Sequence, residues 1–287
     1  MALTICNRPT AFNRFSRMTR MKKNRNCTWS IFRNLHQNQR KGFPGTPLGG
    51  SHGQRSDPNV DGLLYEQHTP TTRLQKVLLT AGSAFMSLYD PYRHDMVAVL
   101  GETTGSVALP RLLRLMQEDE VGRQILEERP RINSDTVDMN YLAQLPDQTF
   151  GKIYHDFMTK NKISADTRDP VRFVDDPDWA YVLQRYREVH DFYHTLLDMP
   201  TNYMGEVVIK WFEVIQTRLP MCALGAIFGP VRLSASDRKD LIQYYIPKVF
   251  KMAPQSKLLL NIYFERRWET PIDELRDEMR ISPLRKS

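Results

Sequence analysis

The first 56 positions of this 287-residue chain lack acidic residues altogether, although the whole chain holds 33 Asp and Glu. The same stretch carries eleven Lys or Arg, from Arg8 to Arg55. The net charge of +7 therefore belongs to the N-terminal tail. From residue 57 onward, 29 basic residues face all 33 acidic ones, a net of −4. A basic folded surface is thereby excluded, and nucleic acid is not an expected partner despite the high pI. Cysteine is scarce as well. Cys6 and Cys27 lie in the tail and Cys222 stands alone in the body, so the body has no disulfide framework. That usage suits a reducing interior such as a mitochondrial matrix. No run approaches the roughly 18 consecutive apolar residues of a membrane span. The richest, Leu219–Gly229, is short and contains Pro220, Gly225 and Gly229, so contact with a membrane is expected to be peripheral. There is also no phosphate-cradling glycine loop and no dinucleotide fingerprint.

What the tail does contain is Asn, Ser and Thr, with Phe12, Phe15, Trp29, Ile31 and Phe32 spaced among arginines. That is the composition of an organelle presequence, and the mature start is expected between about residues 30 and 60. Residues 41–62 are crowded with Gly and Pro and read as a flexible linker. The expected organisation is a disordered presequence and linker over 1–56 and one helical domain over 57–287.

From about residue 70 apolar spacing near 3.6 dominates, and the body reads as all-α. Thr71–Leu88 forms a helix with Leu74, Val77, Leu78, Ala81, Phe85 and Leu88 expected on its buried side. A short segment at His94–Leu100 leads to an expected turn at Gly101–Gly105. Helices follow over Leu109–Gln117, Asp119–Glu128 and the end of Leu145–Lys160. Asp169–Pro177 is extended, because residues before proline avoid the helical region. Two longer helices cover Asp178–Leu197 and Gly205–Arg218. Further helices are expected over Ser236–Tyr245, capped by Ser236 or Asp237, and near Ser256–Arg266. A last helix is capped by Thr270, with Ile272, Leu275 and Met279 as its apolar stripe.

One pattern carries chemistry. His190 and His194 lie four apart and so share a helix face. They continue the stripe Trp179, Leu183, Tyr186, His190, His194, Leu197, and two imidazoles on a buried stripe need hydrogen bonds or a metal. Asp191 lies about 60° round the helix from His194. After a turn through Thr201–Gly205 a new helix opens with Glu206, giving H-D-x2-H-x11-E. Two nitrogen and two oxygen donors suit zinc, ferrous iron or manganese. The pattern is not the zincin H-E-x-x-H, since the shorter Asp191 stands where a protease has glutamate. The competing explanation is plain: Glu206, Lys210, Glu213 and Thr217 form one polar stripe that a solvated helix face would explain. His94-Asp95 and His155-Asp156 repeat the dipeptide without a second histidine. Tyr154, Tyr181, Tyr186 and Tyr193 read as packing groups, and Cys222 as a small buried hydrophobe.

The segment VHDFYHTLLDMPTNYMGEVVIKWFE resembles the metal-motif region of the fourth coenzyme Q (ubiquinone) biosynthesis protein family. Further blocks in the same order extend the resemblance over about residues 60–283: LLTAGSAFMSLYDPYRHDMVAVLGETTG, PVRFVDDPDWAYVLQRYREVHD, QTRLPMCALGAIFGPVRLS and YFERRWETPIDELR. The resemblance implies a helical protein on the matrix side of the mitochondrial inner membrane, with a divalent metal, Zn2+ or alternatively Fe2+, on His190, Asp191, His194 and Glu206. It implies partnership with other coenzyme Q biosynthesis proteins in a multi-subunit complex; a homodimer is a further expectation. The activity it implies is removal of the C1 carboxyl from a polyprenylated 4-hydroxybenzoate-type intermediate, 4-hydroxy-3-methoxy-5-polyprenylbenzoate, with C1 hydroxylation where the reaction is oxidative. The alternative is a non-catalytic lipid-binding scaffold that organises the complex. If the polar stripe faces the site, Lys210 is expected to pair with the substrate acid and Glu213 to move a proton, so Glu206, Lys210 and Glu213 are the candidate catalytic residues. The helix around 219–229 or the Ala81–Leu88 face is expected to line a groove for the polyprenyl tail.

Overall fold

Pro177 sets the first turn of the longest helix and Asp176 caps it, accepting from the backbone N–H groups of Asp178 and Trp179. This helix, Pro177–Leu197, belongs to a computed structural model that describes residues 63–90 and 93–286. The expectations for the tail and the linker lie outside those residues. Among the described residues there is no strand, and the body is a single helical domain. In chain order the α-helices are α1 (Arg73–Tyr89), α2 (His94–Thr104), α3 (Leu109–Glu118), α4 (Glu120–Glu128), α5 (Met139–Gln144), α6 (Phe150–Asn161), α7 (Pro177–Leu197), α8 (Tyr203–Thr217), α9 (Pro220–Phe228), α10 (Ala235–Asp240), α11 (Ile246–Met252) and α12 (Ile272–Met279).

Helix α7 is the axis of the domain. Every residue from Ala180 to Leu197 is buried, so the expected stripe is one side of a helix enclosed all round. Helices α3, α6 and α8 pack on it. An aromatic cluster closes one flank: Phe192 meets Tyr154 edge-on at 4.8 Å between ring centroids and Phe150 at 5.2 Å, with Trp268 stacked on Phe150. At the other end the chain reverses tightly. Asp198 takes the left-handed conformation, Pro200 prevents continuation, and Asn202 caps α8 by accepting from Gly205 N–H. A Cβ at residue 205 would lie 1.8 Å from Pro200 O. Only glycine therefore allows this turn, which sets Glu206 in the first turn of α8 beside the end of α7.

Several expectations are corrected. Helix α1 starts at a capping box, with Thr72 accepting from Gln75 N–H and Gln75 from Thr72 N–H, but its apolar side faces outward. Leu74 and Phe85 are 69% and 67% exposed, and Val77, Leu78, Ala81 and Leu88 are exposed too; of its residues only Ser83 is buried. Periodicity groups residues on one face without saying what that face meets. The expected turn at Gly101–Gly105 is mostly the continuation of α2. Gly101 serves close packing there, since a Cβ would fall 2.3 Å from the sulfur of Met221. The segment 256–266 is not a helix but two 3-10 turns, Leu259–Asn261 and Phe264–Arg266; the Leu260 and Ile262 carbonyls turn inward to accept from Arg185. Ser234, not Ser236 or Asp237, caps α10, and a π-helical turn over Leu241–Tyr245 separates α10 from α11. Thr270 does not cap α12; its hydroxyl instead accepts from Arg267. The stripe Ile272, Leu275, Met279 is buried as expected.

Helix α7 is tied to α2 by a buried ion pair, Arg187 Nη2 to Glu102 Oε1 at 2.8 Å. The other Glu102 oxygen accepts from the Arg172 and Phe173 backbone N–H groups, fixing the extended segment before α7. Removing the carboxylate strands a buried guanidinium, so Glu102→Ala should destabilise the domain by about 3–5 kcal/mol. Urea unfolding should show this loss, with partial recovery when Arg187→Met is added.

Candidate metal centre

Helix α7 supplies two imidazoles one turn apart, their ring centroids 5.0 Å from each other. Each ring is fixed by a hydrogen bond at Nδ1. His190 Nδ1 donates to Glu213 Oε1 at 2.6 Å, and His194 Nδ1 donates to the Met199 carbonyl at 3.1 Å. A carbonyl only accepts, so the His194 proton sits on Nδ1 and its Nε2 presents a lone pair. A neutral His190 bonded to the Glu213 carboxylate is left in the same state. Both Nε2 atoms point at Glu206, which offers Oε2 to His190 at 3.5 Å and Oε1 to His194 at 3.3 Å. His194 Nε2 is buried and makes no hydrogen bond even so.

With both rings neutral, two lone pairs and a carboxylate aimed at one another repel unless a proton or a metal ion lies between them. Potential ligand atoms of His190, His194 and Glu206 all lie within 4.8 Å of one another. The donor set, two imidazole nitrogens and one carboxylate, is one that zinc and ferrous iron both accept. The residues present therefore fit a divalent ion. Glu206 keeps 39% of its side-chain surface accessible, whereas the His190 and His194 side chains are 9% and 0% exposed. The site thus has an open side at Glu206.

The fourth expected ligand is placed otherwise. Asp191 is buried and its Oδ1 accepts from Arg168 Nη2 at 2.5 Å, and Asp191 is not among the residues brought together at the cluster. The polar stripe of α8 turns inward rather than to solvent. Glu213 and Thr217 are fully buried, and Lys210 is only 19% exposed at its side chain. Lys210 Nζ donates to Glu213 Oε2 at 2.6 Å, and the Tyr186 hydroxyl donates to the same oxygen at 2.8 Å. Burial opposes ionisation of Glu213, but Lys210 and His190 outweigh it and hold the carboxyl at about 2. Cys222 completes this cluster, 3.1 Å from the Tyr186 hydroxyl, and burial beside Glu213 pushes its thiol up to about 12. It stays a thiol and is no nucleophile.

Glu213 therefore stands on the Nδ1 side of His190, opposite Glu206, and holds the ring as second partners of metal-bound histidines do. Lys210 is already paired inside the protein. Sequence reading took Tyr186 for a packing group and passed over Arg168 entirely. Tyr186 lies on the histidine stripe, which was the available signal. Arg168 lies 23 residues before Asp191 in an irregular segment, where no periodicity points to it.

A profile described as "Coenzyme Q (ubiquinone) biosynthesis protein Coq4" matches residues 65–285. The chain belongs to the Coq4 family. The mitochondrial ubiquinone biosynthesis protein COQ4 homolog of Bos taurus is 55% identical over 247 residues, 85% of this chain and 92% of that one. Its Homo sapiens counterpart is 55% identical over 221 residues, covering 77% and 83%, and that of Danio rerio 48% over 252 residues, covering 84% and 93%. A Nostoc punctiforme chain known from a crystal structure shares the fold, with a TM-score of 0.58 and 19% identity over 73% of this chain and 98% of that one. The Coq4 membership confirms the family resemblance read from the sequence.

The geometry sets an order of effects on metal content. Protein purified without added metal should hold about one divalent ion per chain by elemental analysis, and His194→Ala should lose it. Glu213→Gln keeps all three ligands but loosens the His190 ring, so affinity in competition with a chelator should fall about 10–100-fold.

Proposed function

We propose that this Coq4 protein is a metal-dependent carboxy-lyase that removes the C1 carboxyl of a 4-hydroxy-3-methoxy-5-polyprenylbenzoate in ubiquinone biosynthesis. The observation that carries this reading is a ligand cluster of three residues with an accessible side at Glu206. Structural zinc sites close their coordination with four protein ligands, whereas catalytic ones keep a position open. With one Asp191 oxygen held by Arg168, a site built on His190, His194 and Glu206 would be of the open kind.

The substrate's own chemistry does much of the work. Loss of the 4-hydroxyl proton raises electron density at C1, which takes a proton in its place. The C1–carboxyl bond then breaks, carbon dioxide leaves, and the ring regains aromaticity. A bound divalent ion supplies Lewis-acid charge near the carboxylate or the phenolate oxygen. His190 and His194 hold that ion with rings already oriented, so little reorganisation accompanies binding. Glu206, the accessible member of the three, would complete the ligand set on the side from which the substrate approaches. Lys210 and Glu213 act through His190. Where C1 is hydroxylated as carbon dioxide leaves, dioxygen is consumed and zinc, which has no redox chemistry, cannot serve; two histidines and one carboxylate are also the donor set of ferrous oxygenases.

Glu206→Ala separates an enzyme from a scaffold. In cells the variant should leave the coenzyme Q biosynthetic complex assembled while C1-carboxylated precursor accumulates. Loss of the complex in step with the product would instead support the scaffold.

We further infer that the protein works peripherally at the matrix side of the mitochondrial inner membrane. Two observations support this. Among the described residues no helix is long and apolar enough to cross a membrane. The apolar side of α1 is exposed, and Arg232 donates to the Leu88 and Tyr89 carbonyls, joining exposed Val231 to the end of that helix. Patches of this kind on a surface mark interaction sites. Co-sedimentation with phosphatidylcholine vesicles containing an anionic lipid should retain the wild type. The double variant Leu78→Glu, Phe85→Glu should be released with an unchanged melting temperature.

A further inference from the structure

We propose that Arg168 is the group that recognises the carboxylate of the substrate. The inference rests on the decarboxylase reading for its substrate class, an aromatic acid, but it concerns a residue that reading does not use. Arg168 follows the 3-10 turn Ala165–Thr167 and its side chain is one-quarter exposed. It reaches Asp191, the residue next to His190 on α7, and the Glu206 and Glu213 charges act on it as well. The guanidinium therefore sits at the edge of the candidate metal centre.

It is also under-used. Asp191 takes Nη2, while Nε is buried without a hydrogen-bond partner. A guanidinium offers five N–H donors in a planar fork that matches a carboxylate. Among the described residues its side-chain acceptor is one Asp191 oxygen, itself 4% exposed at the side chain and fixed on a helix enclosed on all sides. Other arginines of the core are served more fully. Arg185 donates to the Leu260 and Ile262 carbonyls and to Glu265, and Arg187 to the Asp169 and Ala98 carbonyls and to Glu102. Arg168 differs in keeping both spare donor capacity and access to solvent.

Charge balance points the same way. Glu213 is answered by Lys210 and His190 within the protein. Lys210, the other cation close to the site, is thereby committed. An incoming carboxylate finds Arg168 as the nearby cation with donors to spare, and Asp191 holds it in place as a positioning residue.

The test is isothermal titration of full-length protein, metal-loaded and metal-free, with two ring probes. These are 4-hydroxy-3-methoxybenzoate and 2-methoxyphenol, the same ring without its carboxylate. Wild type should prefer the acid in both states. Arg168→Met should abolish the preference in the metal-free protein and weaken acid binding about tenfold or more in the loaded one, as loss of a charge-assisted pair requires. Metal stoichiometry and affinity for 2-methoxyphenol should stay unchanged. Arg168→Lys, which keeps the charge without the fork, should fall between the two. Wild-type affinity for the acid in a folded, metal-replete Arg168→Met protein overturns this proposal and leaves the decarboxylase reading standing. Should Arg168→Met not fold, undiminished acid binding by Arg168→Lys overturns it equally. No preference for the acid in wild type, in either state, overturns both.

Discussion

Enclosing a helix that carries Arg185, Arg187, Glu188, His190, Asp191 and His194 costs several kcal/mol for each charge left unanswered, and the rest of the domain is arranged around those answers. Arg185 draws in the 259–265 turns, Arg187 fixes α2 through Glu102, and Glu188 accepts from Arg131 and from Ile132 N–H. Asp191 binds Arg168, and His190 binds Glu213 on α8. Each partner lies far away in sequence or on another helix, so the buried charges specify which elements meet α7 and in what register. A purely apolar helix would pack as tightly and specify less. At the candidate metal centre a bound cation would supply the answer, because two imidazole nitrogens and one carboxylate converge there.

Legibility in the sequence follows the range of the interactions. Spacing of four residues put His190 and His194 on one face, and Pro200, Asn202 and Gly205 signalled the reversal that brings Glu206 back to them. Those are local rules, and they suffice to bring His190, His194 and Glu206 together. Asp191 was misplaced because its direction is decided by Arg168, which sits in an irregular segment. The inward turn of Lys210 and Glu213 was undecidable from α8 alone, since a polar stripe looks the same whether it faces water or a buried histidine. The 256–266 segment has the composition of a helix, but its carbonyls are needed by Arg185 and cannot all bond within a helix. Helix α1 shows the limit most plainly: its stripe was located residue by residue and assigned to the wrong surroundings.

That outward stripe and the site are connected through α9. Near its start Cys222 touches Tyr186 and Glu213, in the polar cluster behind His190. In its second turn Gly225 admits the Lys210 stem, to which a Cβ would come within 3.1 Å. At its end Ile227 and Phe228 are exposed. Immediately after, Gly229 lies so close to Val207 that a Cβ would approach it to 2.6 Å, and the Gly229 carbonyl accepts from the Tyr203 hydroxyl. Tyr203 and Val207 flank Glu206 in the first turn of α8. The exposed apolar end of α9 thus runs into a segment packed on the start of α8, and Arg232 ties that segment to the end of α1. The amphiphilic substrate proposed above, with an acidic aromatic head and a long apolar tail, would use both features, its carboxylate at Arg168 and its tail along the apolar surface that α1 leaves exposed.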